Sequence, residues 1–409
     1  MKETKFKNTE IGRIPDDWEV RTINSFCSVK TGPFGSMLHA EDYVAKGTPI
    51  VTTEHFKNGI LPLVGKDIPQ VGIEDLKRIS SYTLTKDDIV FSRVGSVDIN
   101  ALVTVRQKGW LFSGRVLRVR PFKQTDSLYL HYGLLKHSVR SDIVSRAVGL
   151  TMASINTKIL GETELSLPPL NEQHSIASAL TSIDNLISSL GKLIEKKKNI
   201  KQGAMQQLLT GKIRLKEFTE PWMEKKLGDI GSLAMCKRIF QEETSEKGDV
   251  PFYKIGTFGQ QADAYITKGK YEQFKQMYRF PQKGDVLISA AGTIGRMVIY
   301  NGEPAYFQDS NIVWLAHNGK YITNNFLFYI YQRTDWNTED TTIARLYNNN
   351  FNNTCIYFPS SITEQQAIAN ILSKMDNEIT ALETKKAKYE AIKQGMMQQL
   401  LTGKIRLIS

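Results

Sequence analysis

The chain has 409 residues, a formal net charge of +11 and 41% hydrophobic residues. This length predicts roughly two to four domains, and the apolar fraction is sufficient for ordinary buried cores. Three widely spaced cysteines form no CxxC pair, which argues against a disulfide framework or a zinc site. No apolar run approaches the ~18 residues of a membrane span, so we expect a cytoplasmic protein with no membrane partner. The positive charge favours a polyanionic partner.

Residues 1–165 alternate short β-rich runs with glycine-rich turns, the pattern of a mixed α/β globule. Apolar residues at helical spacing predict one helix over residues 128–148. Two prolines, Pro168 and Pro169, then end the region.

Residues 166–215 have the pattern of one long helix, with Asn171 as a possible N-cap and Thr210-Gly211 as its stop. Its apolar residues follow alternating steps of four and three, which predicts a coiled coil. At ~1.5 Å per residue, residues 172–209 would span about 57 Å, so we expect a spacer helix. The predicted interface residues are Ile176, Leu180, Ile183, Ile187 and Leu190.

Residues 216–358 repeat the plan of the first globule with a different sequence, and residues 359–409 have the pattern of a second long helix. The predicted interface residues of this helix are Ile368, Leu372, Met375, Ile379 and Leu382. The two helices end alike: residues 201–215 read KQGAMQQLLTGKIRL and residues 393–407 read KQGMMQQLLTGKIRL. A repeat this long predicts one structural unit that is used twice.

Catalytic signatures are absent from the sequence. It contains no GxGxxG, GxxxxGK[ST], HExxH or GxSxG motif, and its six histidines are scattered. We therefore predict neither a catalytic residue nor a metal site in this chain.

Cationic and amide side chains in both globules are candidates for DNA contact, because guanidinium groups bind guanine or phosphate bidentately and amides pair with adenine. The alternative for the cations is a solvated basic surface, and the asparagine-rich segment 347–353 is alternatively a plain exposed loop. The candidates in the first globule are Lys30, Ser36, Arg93, Arg115, Arg146, Asn156 and Lys158. Those in the second are Lys254, Arg296, Arg345, Asn348 and Asn350.

Four phrases together resemble the specificity subunit of type I restriction-modification systems: IPDDW at 14–18, TGPFGS at 31–36, LPPLNEQ at 167–173, and the paired QQLLTGKIRL endings. The resemblance covers essentially the whole chain. It implies an α+β fold with two pseudo-symmetric mixed α/β target recognition domains, residues 1–165 and 216–358. Two long antiparallel coiled-coil helices, residues 166–215 and 359–409, would separate these domains.

The resemblance also implies a function. Each target recognition domain would read one half of a bipartite, asymmetric site in double-stranded DNA, and two methyltransferase subunits and restriction subunits would dock on the helices. The assembled complex would be a DNA adenine methyltransferase and an ATP-dependent endonuclease. This chain would be non-catalytic and would bind no cofactor, because S-adenosylmethionine, ATP and magnesium belong to the partner subunits.

Two other classes of function remain open at the level of sequence. A coiled-coil adaptor that joins proteins without DNA readout would explain the long helices. A stand-alone DNA-modifying enzyme would require catalytic motifs that are not recognisable here.

Overall fold

This computed structural model describes residues 4–34, 37–64, 67–149, 151–336 and 345–408. The chain divides into two compact units. Unit 1 consists of Met1–Gly191 and Thr384–Ser409, and unit 2 consists of Lys192–Glu383. Both divisions fall inside the long helices and not at the limits of the predicted globules. Each unit therefore contains one globule together with a part of both long helices.

Unit 1 begins with short strands and short helices and continues into the first long helix. Its strands are β1 (Phe6–Thr9), β2 (Gly12–Pro15), β3 (Glu19–Thr22), β4 (Cys27–Thr31), β5 (Tyr43–Val44), β6 (Thr48–Val51), β7 (Gln70–Val71), β8 (Ile89–Ser92), β9 (Asn100–Leu102), β10 (Leu111–Phe112), β11 (Val116–Pro121) and β12 (Glu164–Leu167). Its helices are α1 (Ile73–Arg78), α2 (Ser127–Leu134), α3 (His137–Ser145), α4 (Thr157–Gly161) and the start of α5 (Leu170–Leu208).

The single helix predicted over residues 128–148 is two helices, α2 and α3, so that prediction was wrong. Lys136 lies between them with an extended backbone, φ −61° and ψ 132°, which interrupts the helical hydrogen bonds. The apolar spacing continues across this break, and spacing alone therefore did not reveal it.

The main sheet of unit 1 has the strand order β4-β11-β8-β9 and is antiparallel throughout. Its side chains alternate between two apolar clusters, as strand geometry requires. Phe91 and Leu117 belong to the larger cluster, which also contains residues of α2, α5 and α10, whereas Val90 and Val116 face a smaller one. A second sheet, in the order β10-β6-β7-β5, contributes Val51 and Phe112 to that smaller cluster.

Unit 2 repeats this arrangement. Its strands are β13 (Trp222–Lys226), β14 (Ser232–Met235), β15 (Val250–Tyr253), β16 (Tyr265–Ile266), β17 (Val286–Ser289), β18 (Met297–Ile299), β19 (Tyr306–Phe307), β20 (Ile312–Ala316) and β21 (Cys355–Pro359). Its helices are α6 (Leu227–Ile230), α7 (Lys268–Met277), α8 (Asn324–Tyr331), α9 (Asn348–Asn353) and the start of α10 (Ile362–Leu400). The main sheet, β14-β20-β17-β18, matches that of unit 1 strand for strand. The predicted α+β class with two pseudo-symmetric mixed α/β domains is confirmed.

The two long helices pack antiparallel within each unit. In unit 1 the Asp184 carboxylate on α5 lies 2.7 Å from the Lys393 ammonium on α10. In unit 2 Lys201 and Asp376 make the corresponding contact at 2.5 Å. Early residues of one helix thus face late residues of the other, which is the antiparallel coiled-coil arrangement that the family resemblance implied. None of the helices in the described ranges is long and apolar enough to cross a membrane.

The predicted apolar stripe has two packing environments. The stripe residues that are buried are Ile176, Leu180, Ile183, Leu190, Ile368, Leu372 and Ile379, whereas Ile187, Met375 and Leu382 are partly exposed. Ile176 and Leu180 belong to the main cluster of unit 1, and Ile368 and Leu372 belong to that of unit 2. The first turns of each helix therefore pack into a globule core.

Removing one of these core leucines should destabilise its unit. Leu180 and Leu372 are both 0% exposed, so we expect Leu180→Ala and Leu372→Ala to lower the free energy of unfolding by about 2–5 kcal/mol each. Leu193 on α5 is 39% exposed, and Leu193→Ala should change it by less than about 0.5 kcal/mol. Urea unfolding followed by tryptophan fluorescence measures the difference. Equal unfolding midpoints for Leu180→Ala and Leu193→Ala would contradict the packing described.

Candidate nucleic-acid interface

A buried carboxylate links the globule of unit 1 to both long helices. Glu172, in the first turn of α5, accepts a hydrogen bond from Trp18 Nε1 at 3.0 Å. Arg406, beyond the end of α10, donates to both oxygens of Glu172 at 2.8 Å. The exposed fractions of the Arg406 and Glu172 side chains are only 9% and 1%. We call Trp18, Glu172 and Arg406 the unit 1 joint.

Unit 2 contains the same arrangement, built from the other copies of these sequences. Glu364, in the first turn of α10, accepts from Trp222 Nε1 at 3.3 Å. Arg214, beyond the end of α5, donates to the two Glu364 oxygens at 3.1 and 2.6 Å. We call Trp222, Glu364 and Arg214 the unit 2 joint. In each joint, the tail of one long helix is bound to the start of the other.

The glutamine that follows each joint glutamate ties the globule to the helix entry. Gln173 accepts from the backbone N–H of Asp126 at 3.0 Å and donates to the Pro168 carbonyl at 2.9 Å. Gln365 accepts from the N–H of Thr323 and donates to the Pro359 carbonyl, both at 2.9 Å. Both glutamines are buried, so these bonds satisfy amide groups that water cannot reach.

The repeated helix ending has a structural explanation at several positions. Its paired leucines, Leu208, Leu209, Leu400 and Leu401, are buried in the main cores. The glycines that follow, Gly211 and Gly403, have φ of +68° and +67°, a left-handed conformation that glycine favours at helix ends. A Cβ atom on Gly403 would lie 2.3 Å from Pro15 Cγ, so this glycine also permits a close approach.

The joints were not predicted as functional residues from the sequence. Arg214 and Arg406 occupy the same place in the two copies of the repeat, and Glu172 and Glu364 begin both helices. These matching positions in the two copies were the sequence signal for the joints. It did not identify the partners, because Arg406 and Glu172 are 234 residues apart in the chain.

Charge at the unit 1 joint shifts the pKa values of its groups. Hydrogen bonding to Glu172, together with Asp17, raises the pKa of the Arg406 guanidinium above its usual value. Hydrogen bonds from Arg406 lower the pKa of Asp17, although 53% of the Asp17 side chain is exposed. The buried Glu172 contact is therefore the stronger of the two, because solvent screens the exposed one.

Glu172→Gln leaves the Arg406 guanidinium buried without its main counter-charge, so we expect it to lower the stability of unit 1 by about 3–5 kcal/mol. Asp17→Asn removes the exposed partner of the same arginine and should cost only about 0–1 kcal/mol. Urea unfolding at pH 7 compares the two variants. Equal losses would show that burial does not set the strength of this joint.

Arg93 and Arg115 come together beside the end of β8. The Arg93 guanidinium donates to the Gly114 carbonyl at 2.8 Å, and its Cζ lies 4.9 Å from the ring centroid of Phe34. The Arg93 N–H donates to the Arg115 carbonyl at 3.0 Å, and Arg115 is exposed. Phe34 is 55% exposed, so the Arg93 guanidinium and an exposed aromatic ring lie together beside the end of β8.

Three further candidates surround α4, and two of them have structural roles. Asn156 caps this helix by accepting from the Ile159 N–H at 2.9 Å. Arg146 donates to the Ile159 carbonyl at 3.0 Å and pairs with Asp142. Lys158 is exposed, with its ammonium 4.0 Å from Glu162. Asn156 lies next to the Arg93 group in the fold, because the Ile155 N–H donates to the Arg93 carbonyl.

Lys30 lies on β4, opposite Arg118 of β11, and has no contact with Arg93 among those described. Its ammonium donates to the Ser81 hydroxyl at 3.0 Å and lies 4.1 Å from the Tyr82 ring centroid. Burial lowers the pKa of Lys30, and Arg118 and Arg120 lower it further. Ser36, another candidate in this globule, lies outside the described residues.

In unit 2, Arg296 and Arg345 flank the segment that follows β17. Arg296 donates to the Phe258 carbonyl at 3.1 Å, and its backbone carbonyl accepts from the Ser289 N–H. Arg345 forms a β-bridge with Ala291 and donates to the Ser310 hydroxyl at 3.1 Å. Lys254 is paired with Asp263 at 2.9 Å, so its charge is already partly neutralised.

Asn348 and Asn350 lie on a short helix, whereas the sequence had predicted either a DNA-contacting loop or a plain exposed loop. This helix, α9, buries Phe351, whose ring stacks on Trp336 with centroids 5.7 Å apart. Asn348 is exposed and Asn350 is half-buried. Across the described ranges, no group of three or more His, Cys, Asp or Glu side chains could hold a metal ion.

Comparison with known proteins identifies relatives along nearly the whole chain. A Haemophilus influenzae protein, named for its inferred role as a type I restriction enzyme specificity subunit, is 33% identical over 341 residues, covering 80% of this chain and 87% of that protein. The MjaVIII specificity subunit of Methanocaldococcus jannaschii is 27% identical over 432 residues, covering 99% of this chain and 97% of that one.

The fold has solved counterparts as well. The crystal structure of the type I restriction-modification S subunit from M. genitalium superposes with a TM-score of 0.59 at 18% identity, covering 94% of this chain and 96% of that one. The family model of the type I restriction modification DNA specificity domain matches residues 15–202 and again residues 219–394. With two matched domains, two equivalent joints and a relative above 30% identity, the chain belongs to the type I restriction-modification specificity subunit family.

Proposed function

We propose that this chain is the sequence-specific DNA-recognition subunit of a type I restriction-modification complex, and that each unit reads one half of a bipartite, asymmetric site. One observation carries the proposal: the two units share their main sheet and their joint, but differ in the polar side chains beside it. Arg93 follows β8, whereas the residue that follows β17 is Ala290. Two units with the same main sheet and joint, but with different polar side chains beside them, suit two different half-sites in one DNA molecule.

The family resemblance implies the partners, and the repeated elements suggest where they would dock. Two methyltransferase subunits would dock at equivalent places near the two joints, where residues 201–215 and 393–407 are nearly identical. Restriction subunits would then join the assembled methyltransferase. The cofactors S-adenosylmethionine, ATP and magnesium would be bound by these partners, and this chain would contribute recognition without catalysis, in the cytoplasm.

The two alternatives account for fewer features. A protein adaptor without DNA readout explains the long helices, but gives no role to the cations beside β8 and β17. A stand-alone DNA-modifying enzyme needs a catalytic residue, and the sequence has no motif that supplies one.

The direct test is to map methylated adenines across the genome of a host that carries this gene with its methyltransferase partner, and again after deletion of this gene alone. We expect one bipartite, asymmetric motif to lose its methylation. An unchanged methylation pattern would refute the proposal.

Salt dependence separates DNA recognition from the adaptor function. The complex with methyltransferase should bind its DNA with log K falling linearly with log salt, at a slope of about −0.9 for each phosphate contact. Fluorescence anisotropy with a labelled duplex, over salt concentrations from about 50 to about 200 mM, measures this slope. A flat dependence would favour the adaptor.

A further inference from the structure

The segments that follow β8 in unit 1 and β17 in unit 2 have the same local structure. Ser92 and Ser289 end these strands, and the N–H of each donates to the carbonyl seven residues later, that of Ile99 or Arg296, both at 2.8 Å. Gly95 and Gly292 then take positive φ values of +85° and +65°. The two turns can therefore be compared position by position.

Strand register identifies the residues that oppose these turns. Val116 on β11 lies opposite Ser92, and Ile312 on β20 lies opposite Ser289. Two positions earlier in each chain segment are Gly114 and Ser310, which are therefore equivalent positions in the two units.

Each unit presents one guanidinium to this equivalent position, but from a different part of the sequence. In unit 1 the guanidinium belongs to Arg93, immediately after β8, and it donates to the Gly114 carbonyl at 2.8 Å. In unit 2 it belongs to Arg345, on the segment that bridges Ala291, and it donates to the Ser310 hydroxyl at 3.1 Å. The segment that corresponds to Arg345 in unit 1 bridges Val94 through Ser154. A guanidinium group thus lies at the equivalent position in both units, although the two arginines come from non-equivalent positions in the sequence.

No carboxylate among the described residues pairs with either guanidinium group. Within the described parts of the chain, neither Arg93 nor Arg345 forms an ion pair, whereas Arg120, Arg140 and Arg146 are paired with aspartates. The Arg93 Nε is buried without a hydrogen-bond partner among the described atoms, so a ligand would reach this guanidinium through its Nη atoms. A guanidinium fork fits two adjacent acceptors, such as O6 and N7 of guanine or two phosphate oxygens.

We propose that Arg93 and Arg345 are equivalent DNA-contacting residues, one for each half-site, each donating to a pair of adjacent acceptor atoms on the duplex. This inference rests on the proposed function and adds the residues, the ligand atoms and the assignment of one arginine to each half. It predicts that the two residues act on different halves of one site, although no alignment of the two globules would pair them.

The test uses the full chain assembled with its methyltransferase, and duplexes that carry the bipartite motif found by methylation mapping. Arg93→Gln and Arg345→Gln should each weaken binding by about 5- to 150-fold. Duplexes with base substitutions in one half-site at a time should locate each effect. The Arg93 variant should respond less than the unsubstituted complex to substitutions in one half-site, and the Arg345 variant should respond less to substitutions in the other. Arg93→Lys and Arg345→Lys keep the charge but not the fork, and should remain impaired.

The chain supplies a matched control for each arginine. Arg21 in unit 1 also donates to a backbone carbonyl, that of Ser25 at 2.8 Å, and also lies over a phenylalanine ring. Arg279 in unit 2 also donates to a serine hydroxyl, that of Ser232 at 3.2 Å. Arg21→Gln and Arg279→Gln should bind DNA as the unsubstituted complex does. Unchanged urea midpoints for all variants would exclude unfolding as the cause of a loss.

The results distinguish the two sources of acceptor atoms. Relaxed preference at one base pair indicates guanine, whereas a uniform loss with a salt slope smaller by about 0.9 indicates phosphate. Wild-type affinity and preference in both glutamine variants would overturn the inference, as would effects confined to the same half-site. If the unsubstituted complex bound no specific duplex at all, the proposed function itself would fail.

Discussion

A carboxylate shielded from water, held between an arginine and a tryptophan, fixes each globule of this protein to the long helices. Glu172 and Glu364 are 2% and 0% exposed, and a buried carboxylate of this kind is strongly unfavourable without a close cation. Arg406 and Arg214 supply that cation from the tails of the opposite helices. Because the bidentate geometry tolerates little displacement, the pairing fixes the register of one helix against the other within each unit.

In both units the joints give structural support, and under the proposed function the polar side chains beside β8 and β17 give recognition. The joints, the glutamines beside them and the leucines of the helix endings are the same in both units. The side chains beside β8 and β17 differ: Arg93 donates to the Gly114 carbonyl in unit 1, and Arg345 donates to the Ser310 hydroxyl in unit 2. Such a division would allow the proposed DNA-contacting surface to change without altering the helix packing, because substitutions outside the buried cores usually have small effects on stability.

Much of the architecture was predictable from sequence because periodicity and repeats are local signals. The two long helices and the second copy of the globule followed from spacing and self-similarity alone. The candidate site was less accessible, since it depends on contacts between distant segments. Arg146 and Asn156 proved to be hydrogen-bonded to α4, and Asn348 proved to be helical. Equivalence of Arg93 with Arg345 depends on strand register, which neither residue type nor position in the chain encodes.

The reciprocal joints also impose an order on biosynthesis. Unit 2 is one continuous segment, Lys192–Glu383, so all of its core is available before the second half of α10 has been synthesised. Unit 1 needs Leu400, Leu401 and Arg406, and its contact between Asp17 and Arg406 closes a separation of 389 residues. Until Leu400, Leu401 and Arg406 have been synthesised, Trp18 and the apolar face of α5 therefore lack their cover, and the globule of unit 1 is completed after that of unit 2 although its synthesis begins earlier.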